Sequence, residues 1–346
     1  MAGIVRKPGD QGIPRWARRS GALKDASKRI GQAVGIAVVA ILVFGANAQA
    51  SEKIKVFVSI LPQAYFVERV GGRHVDVQVL AGPGQSHESY EPTPRQMSLL
   101  AQAQVFFRIG LPFETGLVPK ISSAAKSLLV VDTTKGIELR EMVEPHDHGH
   151  GKTSDRHGRP KPRKPVDGKK SSHDKDEEAH TEELDPHTWL DPILVKRQAW
   201  TIAETLCTID ARRCDEYRSN LEALRQDLDA LHEEIARALV GVKGREIFVF
   251  HPAYGYFADR YGLKQVAVET GGKEPSAKQL AGLINKAKKK GVKVIFVQPQ
   301  FDTKNAHTIA AAIEGAVVSM DPVARDYIQN LREMASKVEG ALSKQK

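Results

Sequence analysis

Between Arg212 and Val240 the chain carries apolar side chains at Tyr217, Leu221, Leu224, Leu228, Leu231, Ile235 and Leu239. Steps of three and four residues draw one continuous stripe down a helix. At 1.5 Å per residue the segment predicts a rod of roughly 43 Å. A rod that long reaches beyond one small sheet, so the segments before and after it are expected to form separate bodies hung on one helix. A coiled-coil dimer seam accounts for the stripe less well, because four heptads without a clear flanking charge code make a short zipper.

Both flanks alternate strand and helix signals. Before the stripe, IKVFVSI, VDVQVL, AQVFFRIG and SLLVVD read as strands, with PQAYFVERVGG and PTPRQMSLLAQA as helices between them. ILVKRQAWTIAETLCTI reads as a further helix. After the stripe, EIFVF, KQVAVE, VKVIFVQPQF and AVVSM are strands. PAYGYFADRYG, SAKQLAGLINKAKKKG, KNAHTIAAAIEG and a closing helix from Val323 to about Leu342 accompany them. Such alternation predicts an α/β fold: two lobes, each a mostly parallel sheet flanked by helices. The expected division is 51–211 for the first lobe, 212–240 for the linker helix and 241–346 for the second lobe.

The N-terminal 50 residues have a different character. A basic lead is followed by the apolar run Val34 to Phe44 and by Ala48-Gln49-Ala50, an A-x-A cleavage pattern. The run is shorter than the ~20 residues a membrane span needs. Residues 1–50 are therefore expected to be a cleaved export signal, with Ser51 first in a periplasmic product that is soluble after cleavage. Without them the formal charge falls from +9 to about +3, so the basic balance gives no support to nucleic-acid binding. Cys207 and Cys214 are the two cysteines. In an oxidising compartment they either close a small disulfide loop around TIDARR or remain ordinary thiols.

Residues 144–183 lack aromatics and have Val166 as their single strong aliphatic. They hold His146, His148, His150, His157, His173 and His180 among many charged residues. Too little apolar surface is available to offset ordering entropy, so a mobile loop is expected, with its histidines as an accessory metal-collecting tract.

Three metal-competent side chains fall just beyond predicted strands: His87, His251 and Asp321. In open α/β sheets that is where ligands bind. His187, in LDPHTWLDP, is a fourth candidate. These residues are 100, 64 and 70 positions apart, unlike the paired spacing of structural zinc sites, so the fold must assemble them. Each also has a plainer reading. A histidine after a strand is often an ordinary loop residue, and Asp185, Asp191 or Asp321 could serve as a helix cap.

The motifs GPGQSHESYEPTPRQM (82–97), DPHTWLDP (185–192), FHPAYGYFADRYGL (250–263), QPQF (298–301) and MDP (320–322), with the 212–240 helix, carry a resemblance. The chain resembles the cluster A-I substrate-binding proteins of ABC importers, of the zinc-uptake type, over the whole of 51 to the C-terminal helix. The resemblance implies two lobes joined by a rigid helix, a metal ion held in the cleft, and His187, His251 and Asp321 among its ligands. It places the remaining histidine where this chain has Glu88, so either His87 or Glu88 supplies that ligand. It also implies Zn²⁺ as the bound and transported ion, with Mn²⁺ or Fe²⁺ as alternatives, and an ABC permease of the inner membrane as partner to a monomeric receptor. A secreted zinc hydrolase would need an open coordination position. No H-E-x-x-H or G-x-S-x-G motif supports one, and an enzyme is not expected. An adhesin on the same scaffold is a third class, disfavoured by the cleavage pattern.

Overall fold

The computed structural model of the chain describes residues 52–142, 184–269, 276–301 and 303–344. The expected export signal and the histidine-rich tract with His146, His148, His150, His157, His173 and His180 lie outside the described residues.

The first sheet contains β1 (Ile54–Ile60), β2 (Val75–Ala81), β3 (Val105–Arg108) and β4 (Leu129–Asp132). All pairings are parallel, in the order β2-β1-β3-β4. The central strand β1 is buried on both faces, as its nearly unbroken apolar sequence requires in a sheet covered on two sides. Helix α1 (Leu61–Gly71) starts with Pro62, where no N–H is needed, and stops at Gly72, whose φ of 56° suits glycine. Helix α2 (Pro94–Leu100) starts with a capping box between Thr93 and Gln96. Helix α3 (Pro112–Ala124) was not among the expected elements. Gly116 and Pro119 weaken its local signal, and tertiary contacts override it. Leu117 and Ile121 are buried, and the Glu114 carboxylate accepts the N–H groups of Ile109 and Gly110 at 2.7 to 3.2 Å.

Helix α4 (Pro192–Ile209) is capped by Asp191, whose Oδ1 accepts the Ile193 N–H at 2.9 Å. A disulfide between Cys207 and Cys214, with Cα atoms 4.5 Å apart, joins its last turn to α5 (Cys214–Leu239). The loop spans only 7 residues of separation, so loop-closure entropy assigns the bond about 2–3 kcal/mol. Reduction is expected to lower the melting temperature by about 5 °C while leaving metal affinity within about twofold. Calorimetric scans and metal titrations with and without reductant measure both.

The buried residues of α5 are Tyr217, Leu221, Leu224, Leu228, Leu231, Ile235 and Leu239, the stripe read from the sequence. Its 26 residues span about 39 Å. Short 3₁₀ turns at Ala211–Arg213 and Val240–Val242 bracket it.

The second sheet repeats the first: β5 (Glu246–Val249), β6 (Lys264–Ala267), β7 (Val294–Val297) and β8 (Ala316–Ser319), parallel, in the order β6-β5-β7-β8. Helices α6 (Gly255–Tyr261), α7 (Ala277–Lys289) and α8 (Lys304–Ala312) connect these strands. Side chains alternate along β5. Ile247 and Val249 join the core that contains the α5 stripe, while Phe248 joins a separate outer core with Val266, Ile295 and Ile309. Helix α9 (Tyr327–Ser343) closes the chain and contributes Leu331, Met334 and Val338 to the first core.

In each sheet the strand order reverses beside a central strand, β1 or β5. The described residues from 53 onward form one compact unit, and buried hydrogen bonds tie the lobes together. Trp189 Nε1 donates to the Pro322 carbonyl at 2.7 Å, and Tyr327 Oη donates to the Trp189 carbonyl at 2.8 Å. Wide opening would break these bonds, so small tilts or local loop motion suit this joint better than a free hinge. No helix among the described residues is long and apolar enough to cross a membrane.

Candidate metal centre

His87 and Glu88 lie on the loop between β2 and α2, and that loop is tied down at both ends. Gln85 accepts the Gly82 N–H at 2.7 Å, and Ser86 Oγ accepts the Glu88 N–H at 3.2 Å. At the far end Tyr90 donates to Gln96 Oε1 at 2.7 Å, and Gln96 Nε2 donates to the Leu80 carbonyl at 3.0 Å. The capping box of α2 therefore also anchors the loop to the end of β2.

His187 precedes a 3₁₀ turn, Thr188–Leu190. Its backbone N–H donates to Asp185 Oδ1 at 2.9 Å, and its Nδ1 lies 2.7 Å from the same oxygen. His251 follows β5, and its Nδ1 lies 2.9 Å from Glu269 Oε2, just beyond β6. Each carboxylate takes an Nδ1–H, which turns Nε2 of that histidine toward the centre. Phe301 stacks on His251 at 5.1 Å, and Trp189 packs against His87 and His187 at 5.7 and 5.1 Å.

The outcome is a tight group of four ligand atoms, all within 4.8 Å of one another, from His87, Glu88, His187 and His251. Glu88 Oε1 lies 3.3 Å from each of the three Nε2 atoms. His87 and His187 Nε2 are 3.1 Å apart. A tetrahedral ion with bonds of about 2.0–2.1 Å spaces its ligands by about 3.3–3.4 Å, so these four edges match a zinc-sized centre, with the two remaining edges from His251 within 4.8 Å. The three histidines are buried, while the Glu88 side chain is 23% exposed and marks the side from which solvent reaches the group.

Asp321 stands outside this group. It follows β8, the edge strand, with β7 between it and β5. Its Oδ1 accepts from the Val323 N–H at 2.9 Å and from Gln300 Nε2 at 2.8 Å, a local turn contact of the kind that competed with the ligand reading. Glu88 is the carboxylate that the structure brings among the three histidines. The sequence posed His87 and Glu88 as alternatives, yet the loop presents both. Asp185 and Glu269 were not expected as supports. Glu269 carried a usable signal, since it lies beyond the carboxyl end of the strand beside β5.

The same geometry sets the protonation states. Burial would push the Glu88 carboxyl up, but the three imidazoles ranged around it outweigh burial and hold the group well below its ordinary range. Burial pulls the His187 imidazole down, but Asp185 and then Glu88 raise it to about 9. His251 is raised in the same way, with burial opposed by Glu269 and Glu88. For His87 burial wins, helped by the neighbouring imidazoles, and its pKa is lowered. Without metal, the centre is a carboxylate facing a protonated His187.

A family model described as the periplasmic component A of the zinc-uptake complex matches residues 56–341. The high-affinity zinc uptake system protein ZnuA of Brucella suis biovar 1 is 31% identical over 319 residues, 87% of this chain and 95% of that protein. The zinc-binding protein AdcA of Streptococcus pyogenes serotype M3 is 28% identical over 276 residues, which cover 78% of this chain. The chain spans about half the length of that relative, 51%. A crystal structure of ZnuA superposes with a TM-score of 0.71 at 35% identity, covering 84% of this chain and 99% of that one. A zinc-bound 138–173 deletion mutant of ZnuA superposes equally well, at 0.71 and 35%. The chain belongs to the family of the periplasmic component A of zinc-uptake complexes.

Proposed function

We propose that this protein captures Zn²⁺ between its lobes and delivers it to an ABC-type permease of the inner membrane. The observation that carries this reading is the set of three imidazole Nε2 atoms ranged at 3.3 Å around one carboxylate oxygen, with ligands from both lobes. His87, Glu88, His187 and His251 would hold the ion. Three nitrogens and one oxygen in a tetrahedral frame suit zinc, whereas an oxygen-rich octahedral shell would suit Mn²⁺. Four protein ligands also leave no position for an activated water, in keeping with a family of uptake components rather than enzymes.

Residues 1–50 as a removed export signal, 51–211 and 241–346 as lobes about the 212–240 helix, a periplasmic location and a monomeric receptor complete the proposal. The histidines between 146 and 180 would collect further zinc weakly outside the cleft.

Competition titration against a chelator of known affinity tests the central claim. Zinc is expected to bind the cleft at one equivalent, at least ~100-fold more tightly than Mn²⁺, in the direction of the Irving–Williams order. Equal or reversed affinities would move the reading to manganese or iron. Stimulation of the reconstituted permease's ATPase by the zinc-loaded protein, beyond that by zinc alone, tests delivery.

A further inference from the structure

We propose that Arg140 is a positioning residue that locks His187 for metal binding from the seam between the lobes, and that position 255 is glycine to admit it. This rests on the metal-receptor reading above. Arg140 Nη1 donates to Asp185 Oδ2 at 2.9 Å, while Asp185 Oδ1 engages both nitrogens of His187, backbone N and Nδ1. Arg140, Asp185 and His187 thus form one chain ending at a proposed ligand. The carboxylate is fully buried, and Arg140 is the cationic partner it keeps when a metal displaces the proton of His187. Backbone contacts hold the pair in register, since the Asp185 N–H donates to the Arg140 carbonyl at 2.9 Å.

The second lobe closes over this pair. Tyr256 Oη donates to the Asp185 carbonyl at 2.9 Å and accepts the Arg140 N–H at 3.0 Å. Arg140 Nε lies 2.9 Å from Asp259 Oδ2. Both residues are on α6, the helix that follows His251. One guanidinium therefore touches the support of the His187 ligand and the helix next to the His251 ligand. The two arms differ in weight. Asp185 is fully buried, whereas the Asp259 side chain is 62% exposed, and exposed ion pairs contribute little. The Asp185 arm is the one expected to matter.

Gly255 supplies independent support. A Cβ at this position would lie 1.5 Å from Arg140 Nη1, 2.4 Å from Arg140 Cζ and 2.9 Å from Asp185 Oδ2. Its φ lies outside the left-handed region, so the backbone itself does not demand glycine. Alanine is the better helix former. The close approach of the guanidinium thus accounts for a glycine at the first position of α6.

The test compares Arg140→Ala, Arg140→Lys, Gly255→Ala, the Arg140→Ala/Gly255→Ala double variant and Asp259→Asn. The readouts are zinc affinity, zinc dissociation rate by chelator capture, and melting temperature of the metal-free protein. Arg140→Ala and Gly255→Ala are each expected to weaken zinc binding about 10- to 100-fold, the usual effect of removing a support of a metal-binding histidine, mainly through faster dissociation. Arg140→Lys should recover part of the loss, and Asp259→Asn should stay within about threefold of wild type. The double variant should be no weaker than Arg140→Ala, because the two substitutions remove one contact. Full additivity, or wild-type affinity in both Arg140→Ala and Gly255→Ala, overturns the proposal. Loss of affinity that only tracks a loss of melting temperature also overturns it. Failure of the wild-type protein to bind zinc would instead sink the receptor reading.

Discussion

Replacing Glu88 with glutamine is expected to weaken zinc binding about 100- to 1,000-fold, while replacing Asp321 with asparagine changes it by no more than about threefold. The first figure follows from what Glu88 does. It is the only anion among the four gathered ligand atoms, and three buried imidazoles face its Oε1. Removing one member of a buried charged group typically costs about 3–5 kcal/mol, because the remaining charge is left uncompensated. In the metal-bound form, the remaining charge is that of the ion. The second figure follows from the place of Asp321 beyond an edge strand, where its Oδ1 is occupied by the Val323 N–H and Gln300. Losing that turn contact should shift the melting temperature slightly and the affinity hardly at all. Isothermal titration of the two variants separates these effects. The reverse ranking would return Asp321 to the ligand set and remove Glu88 from it.

That comparison also marks how far the sequence could be read. The α5 stripe was legible because seven buried positions repeat at helical spacing along a single element, with no need to know what they pack against. The three histidines were legible because each follows a strand end or stands in a proline-bounded turn, and parallel sheets present such positions on one side. Lateral position within a sheet was not legible. His251 and Asp321 both follow strands of the second sheet, but β5 is central and β8 is at the edge. Only the folded structure shows that the His251 side chain joins the group of His87, Glu88 and His187 while the Asp321 carboxylate does not. Helix α3 was hidden by Gly116 and Pro119. The supports were hidden for another reason: Asp185, Glu269 and Arg140 act through a histidine and not on a metal. Only Glu269 carried a positional signal, beyond a strand end; nothing in the local sequence around Asp185 distinguishes a carboxylate that caps a turn from one that turns an imidazole. Asp185 does both, accepting the His187 N–H and Nδ1 on the same oxygen.

Zinc affinity is expected to rise about ten- to a hundredfold per pH unit near pH 7 and less steeply as the pH approaches 9, a window higher than an ordinary histidine's 6.5 would give. The His187 pKa of about 9 requires it. Below that value the metal-free protein carries a proton on His187 that zinc must displace, whereas His87, with a lowered pKa, is already neutral. His251, raised from 6.5, adds a second displaced proton wherever the pH is below its own pKa. Zinc titrations near pH 7 in buffers of different ionisation enthalpy should therefore report the release of between one and two protons per ion. Release close to zero would show that the histidines are neutral before metal arrives. Stability supplies a second readout with a definite sign. Because the folded His187 pKa is raised, its contribution to the metal-free protein is fully present below 6.5 and is lost as the pH rises through about 9. The depressed Glu88 pKa contributes above 4.5 and loses that contribution as the pH falls below it. Between about pH 4.5 and 6.5 the pair thus stabilises the empty site most, and proton competition with zinc is stronger there than at neutral pH. The increase in melting temperature on adding zinc should accordingly grow steadily from pH 6 toward pH 9. A zinc-dependent shift that is flat over this range would mean that Glu88 and His187 do not form a charged pair before the ion arrives.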